Sequence, residues 1–172
     1  DSASLRAALA DLPNGLVEVA SEATDRSTYL RRPDLGRRLS STSKASLALM
    51  PRGFDVVIIV ADGLSASAVN INAAPLVRAL VGQLTARGRT IAPIVLATQA
   101  RVALCDPIGE ALAAQVAIML IGERPGLSAS DSLGTYLTYQ PRPDTPDSRR
   151  NCVSNIREGG LSIAAAAAVI TT

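Results

Sequence analysis

Histidine is absent from all 172 residues. Its absence excludes a Ser-His-Asp or Cys-His catalytic unit within the chain. It also leaves too few imidazole or thiolate ligands for a zinc or non-haem iron site, so no catalytic residue and no metal ligand is assigned. Tryptophan is missing as well, and aromatic residues make up only 2% of the chain against 48% hydrophobic residues. The core must therefore be built from Ala, Val, Leu and Ile. With so few rings to stack on bases and a net charge of only +2, nucleic-acid binding is not expected. The arginine cluster between Arg26 and Arg52 reads instead as a solvated or protein-facing patch, and Arg37 and Arg38 are given no ligand role.

Long apolar runs are also lacking. The longest, Val56–Ala61 and Ile163–Ile170, fall short of the roughly 18 residues that a membrane-spanning helix needs, so no membrane segment is expected. The start, Asp1-Ser2-Ala3-Ser4-Leu5, has no initiator Met and no secretory-signal order; a fragment or processed product of a cytoplasmic protein is expected. Cys105 and Cys152 have neither zinc-type nor C-x-x-C spacing and read as two reduced thiols. A length of 172 residues fits one domain with a small extension.

Within residues 1–52, Leu5, Ala8, Leu9 and Leu12 recur at helical spacing until Pro13-Asn14-Gly15 ends the segment. Asp25 or Ser27 can cap a short helix through Tyr29 and Leu30, and Ser43 to Met50 reads as another. This part is expected to be a helical N-terminal extension to a main domain over 53–172. From Phe54 the pattern changes. "FDVVIIVADG" is a continuous β-branched run of the kind that forms a strand buried on both faces. A long helix to Arg87 follows, then a strand in "TIAPIVLATQ", a helix over Asp106 to Gln115 and a strand in "VAIMLIGE". A further strand falls at Tyr136–Gln140, and an Ala-rich helix runs from Leu161 to the end. This alternation predicts an α/β fold: a Rossmann-like, three-layer open sheet, mainly parallel.

In such a sheet, ligands sit beyond the carboxyl ends of the strands. Three loops gather there: Asp62–Ala66, Gln99–Leu104 and Gly122–Ser130. The first has one glycine where a dinucleotide fingerprint needs three, and there is no Walker A loop. Gly63 permits close backbone approach, and Ser65 or Ser67 can cap the following helix, whose N-terminus attracts anions. In the third loop, Glu123 and Arg124 stand between Gly122 and Pro125-Gly126, with Ser128, Ser130 and Asp131 as caps beyond. Cys152 lies among Arg149, Arg150 and Arg157, which could lower its pKa, yet no histidine can relay a proton to or from it. From the residues alone, a stand-alone binder of a nucleotide-like ligand and a thiol-dependent enzyme using Cys152 both stay open.

Four stretches in order, "RPDLGRRLS", "VVIIVADGLSASAVN", "LIGERPGLSASDSLGTYLTY" and "RNCVSNIREGGL", together resemble the small subunits of adenosylcobalamin-dependent ethanolamine ammonia-lyases from about Leu16 to the C-terminus. The resemblance implies a non-catalytic subunit of a hetero-oligomer. In that family ethanolamine becomes acetaldehyde and ammonia by a radical route. A TIM-barrel large subunit holds the substrate, and the small subunit closes over the coenzyme at their interface. The family's coenzyme contacts fall here on Val102, Glu123 and Cys152. The resemblance also implies base-on adenosylcobalamin, a mode with which a chain free of histidine agrees. It places the enzyme in the cytoplasm or, in some hosts, inside a bacterial microcompartment. Family members carry further residues ahead of the segment that starts here.

Overall fold

A computed structural model describes residues 2–123 and 130–172. Helix α1 (Ser2–Leu9) leads into strand β1 (Leu16–Ala20), then α2 (Arg26–Arg31), a 3-10 turn (Leu35–Arg37) and α3 (Ser41–Ala48). Strand β2 (Val56–Ala61), α4 (Ala66–Ala86), β3 (Ile94–Thr98), a second 3-10 turn (Val102–Leu104), α5 (Cys105–Ala111) and β4 (Val116–Gly122) follow. The chain closes with β5 (Leu133–Tyr139), a third 3-10 turn (Asp147–Arg149), β6 (Arg150–Ile156) and α6 (Ile163–Ile170).

Among the described residues, six strands form one sheet in the order β1-β3-β2-β4-β5-β6. The first four are parallel, whereas β4–β5 and β5–β6 pair antiparallel. Every residue of β2 is buried, as its unbroken aliphatic sequence predicts for a central parallel strand. Alternate side chains divide between two cores. Val56, Ile58, Val60, Ile94, Leu96, Ile118 and Leu120 meet Leu76, Leu80 and Ile170 of α4 and α6 on one face. Val57, Ile59, Ala61, Val95, Ala97, Ala117 and Met119 meet Leu47 and Ile108 of α3 and α5 on the other. The period-2 division is what makes three layers. The crossover from β2 to β3 runs toward one edge and that from β3 to β4 toward the other. Crossovers of a single hand then require their helices on opposite faces, which is where α4 and α5 lie.

The architecture is the expected Rossmann-like α/β fold, with three local differences. The segment expected to be helical also contains β1, which pairs with β3 along Leu16 to Ala20. Strand β6 carries Cys152 along the sheet edge, opposite Tyr136, where no strand was expected. Helix α5 starts at Cys105 and stops at Ala111, short of the expected Gln115, because Ala113 turns to φ 48° and ends the helical path. Asp25 does cap α2, accepting the Thr28 amide, and Ser65 caps α4, accepting that of Ala68. Among the described residues, no helix is long and apolar enough to cross a membrane.

Candidate functional site

At the carboxyl ends of the central strands, three loops meet around a cleft of about 570 Å³. Val102, Glu123 and Cys152 all line it, together with Tyr29, Arg101 and Tyr136. Residues far apart in sequence thus face one space because β3, β4 and β6 end or run beside it. A larger cavity of about 760 Å³ lies between α3, α5 and the 143–147 loop. It contains none of the three and holds cations and carboxylates in mixture, so the smaller cleft is the candidate site.

Two loops of the cleft are tied together by one carboxylate. Asp62 Oδ1 accepts the Gly63 amide at 2.9 Å and the Ala100 amide at 3.3 Å, while Oδ2 accepts the Gln99 amide at 3.0 Å. This fixes the ends of β2 and β3 against each other. Gln99 is held at φ 53°, a left-handed conformation costly for a side chain with a Cβ. Its carbonyl accepts the Ser21 hydroxyl at 2.6 Å. The path from Gln99 to Val102 is therefore set from both sides.

The wall beside Val102 is built from a distant segment. Tyr29 is 1% exposed, and its hydroxyl donates to the Ala100 carbonyl at 3.2 Å. Burial raises its pKa. The guanidinium carbons of Arg101 and Arg26 lie 4.3 and 4.9 Å from the centre of its ring, within cation–π range. Arg101 donates through Nη2 to the Tyr29 carbonyl at 3.0 Å, and its backbone amide donates to the Gly36 carbonyl at 2.9 Å. A Cβ on Gly36 would fall 2.7 Å from Arg101 Cγ. The glycine of "RPDLGRRLS" is thus the place where this arginine passes. Arg101 Nε is buried without a hydrogen-bond partner among the described residues.

Glu123 forms the opposite wall. Its carboxylate accepts the Ser132 hydroxyl at 2.8 Å, and its amide donates to the Ser132 carbonyl at 3.0 Å. The side chain lies over Gly134, where a Cβ would come within 2.6 Å of Oε1. Arg124 and Ser128, singled out in the third loop, lie outside the described residues, as does the whole of 124–129. Cys152, exposed at the sheet edge, has its thiol pushed up in pKa, first by desolvation and then by the Glu123 charge, with Tyr136 acting in the other direction. Tyr136 is itself pushed up to about 12, chiefly by burial.

Three expectations are corrected here. Gly63 does have a positive φ of 56°, but the space beside it is filled: a Cβ would meet Ile121 Cγ1 at 2.5 Å and the Gly122 carbonyl at 2.6 Å. Its smallness admits strand β4 rather than a ligand. Ser65 and Ser67 are not open to an anion either, since both hydroxyls donate to the Ser130 carbonyl, at 2.6 and 3.0 Å. The arginines near Cys152 do not activate it. Of the three arginines expected to lower its pKa, Arg150 is engaged instead with Asp106 and Arg157 with Asn155 and the Glu158 carbonyl, while the thiol's pKa is raised rather than lowered.

The family model for the ethanolamine ammonia-lyase light chain (EutC) matches residues 1–172. The chain belongs to that family. It is 48% identical over 171 residues to the ethanolamine ammonia-lyase small subunit of Pseudomonas syringae pv. tomato, 97% of this chain and 60% of that protein. The small subunit from Ralstonia nicotianae is 48% identical and that from Pseudomonas putida 49%, each alignment covering 97% of this chain and 63% of the relative. The chain thus spans somewhat under two thirds of the length of these light-chain relatives.

Proposed function

We propose that this chain is the coenzyme-covering part of an ethanolamine ammonia-lyase small subunit. It would hold one side of base-on adenosylcobalamin through Val102, Glu123 and Cys152, while a large TIM-barrel subunit converts ethanolamine to acetaldehyde and ammonia. The observation that carries this reading is the convergence of those three residues on one cleft in a member of the light-chain family.

The cleft's chemistry suits the group. A corrin is an apolar macrocycle fringed with carboxamides. Val102, Leu64 and Ile121 give the cleft an apolar lining, and Glu123 offers an acceptor whose orientation Ser132 fixes. When bound, the coenzyme supplies the radical chemistry through homolysis of its cobalt–carbon bond. This chain's residues bind and orient. Val102 presents an apolar surface and backbone at a fixed height, Glu123 accepts amide protons, and Cys152 presents its protonated thiol at the sheet edge. With no imidazole among the 172 residues, none of these side chains competes with the coenzyme's own benzimidazole for cobalt. The assembly would work in the cytoplasm or inside a microcompartment.

The test uses the full-length small subunit with and without its large subunit. Expected are adenosylcobalamin-dependent ammonia release by the mixture only, and a Glu123→Ala complex that assembles normally but binds the coenzyme about tenfold more weakly, the effect of one lost hydrogen bond to a charged group. Ammonia release by the small subunit alone, or tight binding of NAD or ATP in place of cobalamin, would overturn the reading.

A further inference from the structure

We propose that Arg101 is an anion-holding residue of the cleft, its guanidinium taking an oxygen of the phosphodiester in the coenzyme's nucleotide loop. The proposal rests on the coenzyme reading above and assigns a contact which that reading leaves open.

Two arginines of the same chain are used in opposite ways. Arg150 donates through Nε to Asp147, through Nη1 to Asp106 and Thr138, and through Nη2 to Asp106 and the Thr145 carbonyl. All five of its N–H groups are used, as expected of an arginine whose role is structural. Arg101 is the opposite case. Among the described residues its guanidinium makes one hydrogen bond, to the Tyr29 carbonyl, and no ion pair with any carboxylate. Its Nε is buried and unmatched, and its Nη1 donates to none of the described residues.

Yet this under-used cation is not loose. Its ring contact with Tyr29 at 4.3 Å, its amide bond to Gly36 and the close passage over Gly36 fix it on the rim of the cleft. Holding a half-buried guanidinium still without a counter-charge is unfavourable. A bound anion would complete the set. Guanidinium is the side chain best matched to phosphate oxygens, through forked charge-assisted bonds. The coenzyme's phosphodiester is its one anionic group, whereas Glu123 across the cleft suits the amide N–H groups of the carboxamide fringe. The two rims therefore divide the ligand by charge.

The experiment measures equilibrium binding to the assembled full-length complex with three probes: cobalamin, cobinamide (a corrin without nucleotide loop or phosphodiester) and inorganic phosphate as competitor. Arg101→Met should weaken cobalamin binding about tenfold to a hundredfold and leave cobinamide unchanged. Arg101→Lys should fall between, keeping charge without the fork. Arg101→Gln, which can still donate to the Tyr29 carbonyl, should behave like Arg101→Met and serves if that variant does not assemble. Phosphate should compete with cobalamin in the wild type and not in Arg101→Met. Unchanged cobalamin affinity in the variants overturns the proposal, and so does an equal loss for cobinamide, which would put the contact on a carboxamide. If Glu123→Ala still weakens cobalamin binding in those cases, the coenzyme reading survives alone. A wild-type complex that binds neither corrinoid overturns both.

Discussion

Arg150 and Asp106 form a two-pronged ion pair almost out of reach of water: Nη1–Oδ1 is 2.8 Å, Nη2–Oδ2 is 2.6 Å, and the side chains are 3% and 4% exposed. The pair fastens the start of the edge strand β6 to the start of α5, two residues from Cys152. Leaving one buried charge without its partner costs about 3–5 kcal/mol, whereas an apolar pair of similar volume is often tolerated. Arg150→Met should therefore lower the urea midpoint sharply. Arg150→Met with Asp106→Leu should cost much less than the two single changes summed. Additive losses would show that the ion pair contributes little beyond its separate contacts.

The acid response is set partly by an exposed cluster around Asp34, which lines the same cavity as Asp106. Hydrogen bonds from Arg32, aided by its charge and that of Arg38, hold Asp34 at about 2, below its ordinary 3.8. A carboxyl with a depressed folded pKa stabilises fully above its unfolded value, and the contribution disappears as pH falls through the folded one. The difference in urea midpoint between wild type and Asp34→Asn should therefore be constant above about pH 4 and shrink toward pH 2. A difference that does not change with pH would remove the Arg32–Asp34–Arg38 group from the acid limb.

The two thiols should behave differently toward alkylation. Cys105 is fully buried, and burial, reinforced by Asp106, pushes it up to about 12 from 9.0. Because the protonated thiol is the one the fold favours, its contribution is complete below about pH 9 and is lost as pH rises through about 12. At pH 8, Cys152 should react slowly with iodoacetamide and Cys105 only as the protein unfolds, as mass spectrometry would show. Rapid modification of Cys152 at neutral pH would restore the thiol-enzyme alternative.

Strands rich in aliphatic residues were legible in the sequence and edge strands were not. Val56–Ala61 announces itself because burial on both faces demands an unbroken apolar run. Strand β6 reads RNCVSNI with only Ile156 buried, and β1 has a single buried residue in five; an edge open to water needs no such run, so no periodic signal remains. The cleft was legible in outline, since topology put all three of its loops at the strand ends. Val102, Glu123 and Cys152 came from family resemblance. Tyr29 was marked only as part of a short helix and Arg101 only as a member of the second loop; nothing in the sequence joined these residues, 72 positions apart. Their meeting depends on Gly36, whose quoted motif had no role attached to it until the chain was folded.

Gly122 offers a sharper packing test. A Cβ there would drive into the Ser65 carbonyl and stand 2.9 Å from that of Asp62, both backbone atoms with little room to move. Gly122→Ala should destabilise the domain by about 1–3 kcal/mol, in the range of other overpacking changes. Thermal unfolding would read it. Gly82→Ala, in α4 with nothing within 4 Å of the added carbon, should be neutral or mildly stabilising.

Asp62→Asn would replace an acceptor oxygen by a donor opposite the amides of Gly63, Gln99 and Ala100. Under the proposed function, coenzyme affinity of the assembled complex should fall about tenfold although Asp62 is not among the residues lining the cleft, and no change would show that the loops hold without it. The arrangement carries a wider consequence. Because a single carboxylate clasps the tips of two neighbouring strands, neither tip can lengthen, shorten or swing without releasing the other. That part of the cleft's rim therefore behaves as one mechanical piece, open to redecoration at its side chains but resistant to remodelling of either loop alone.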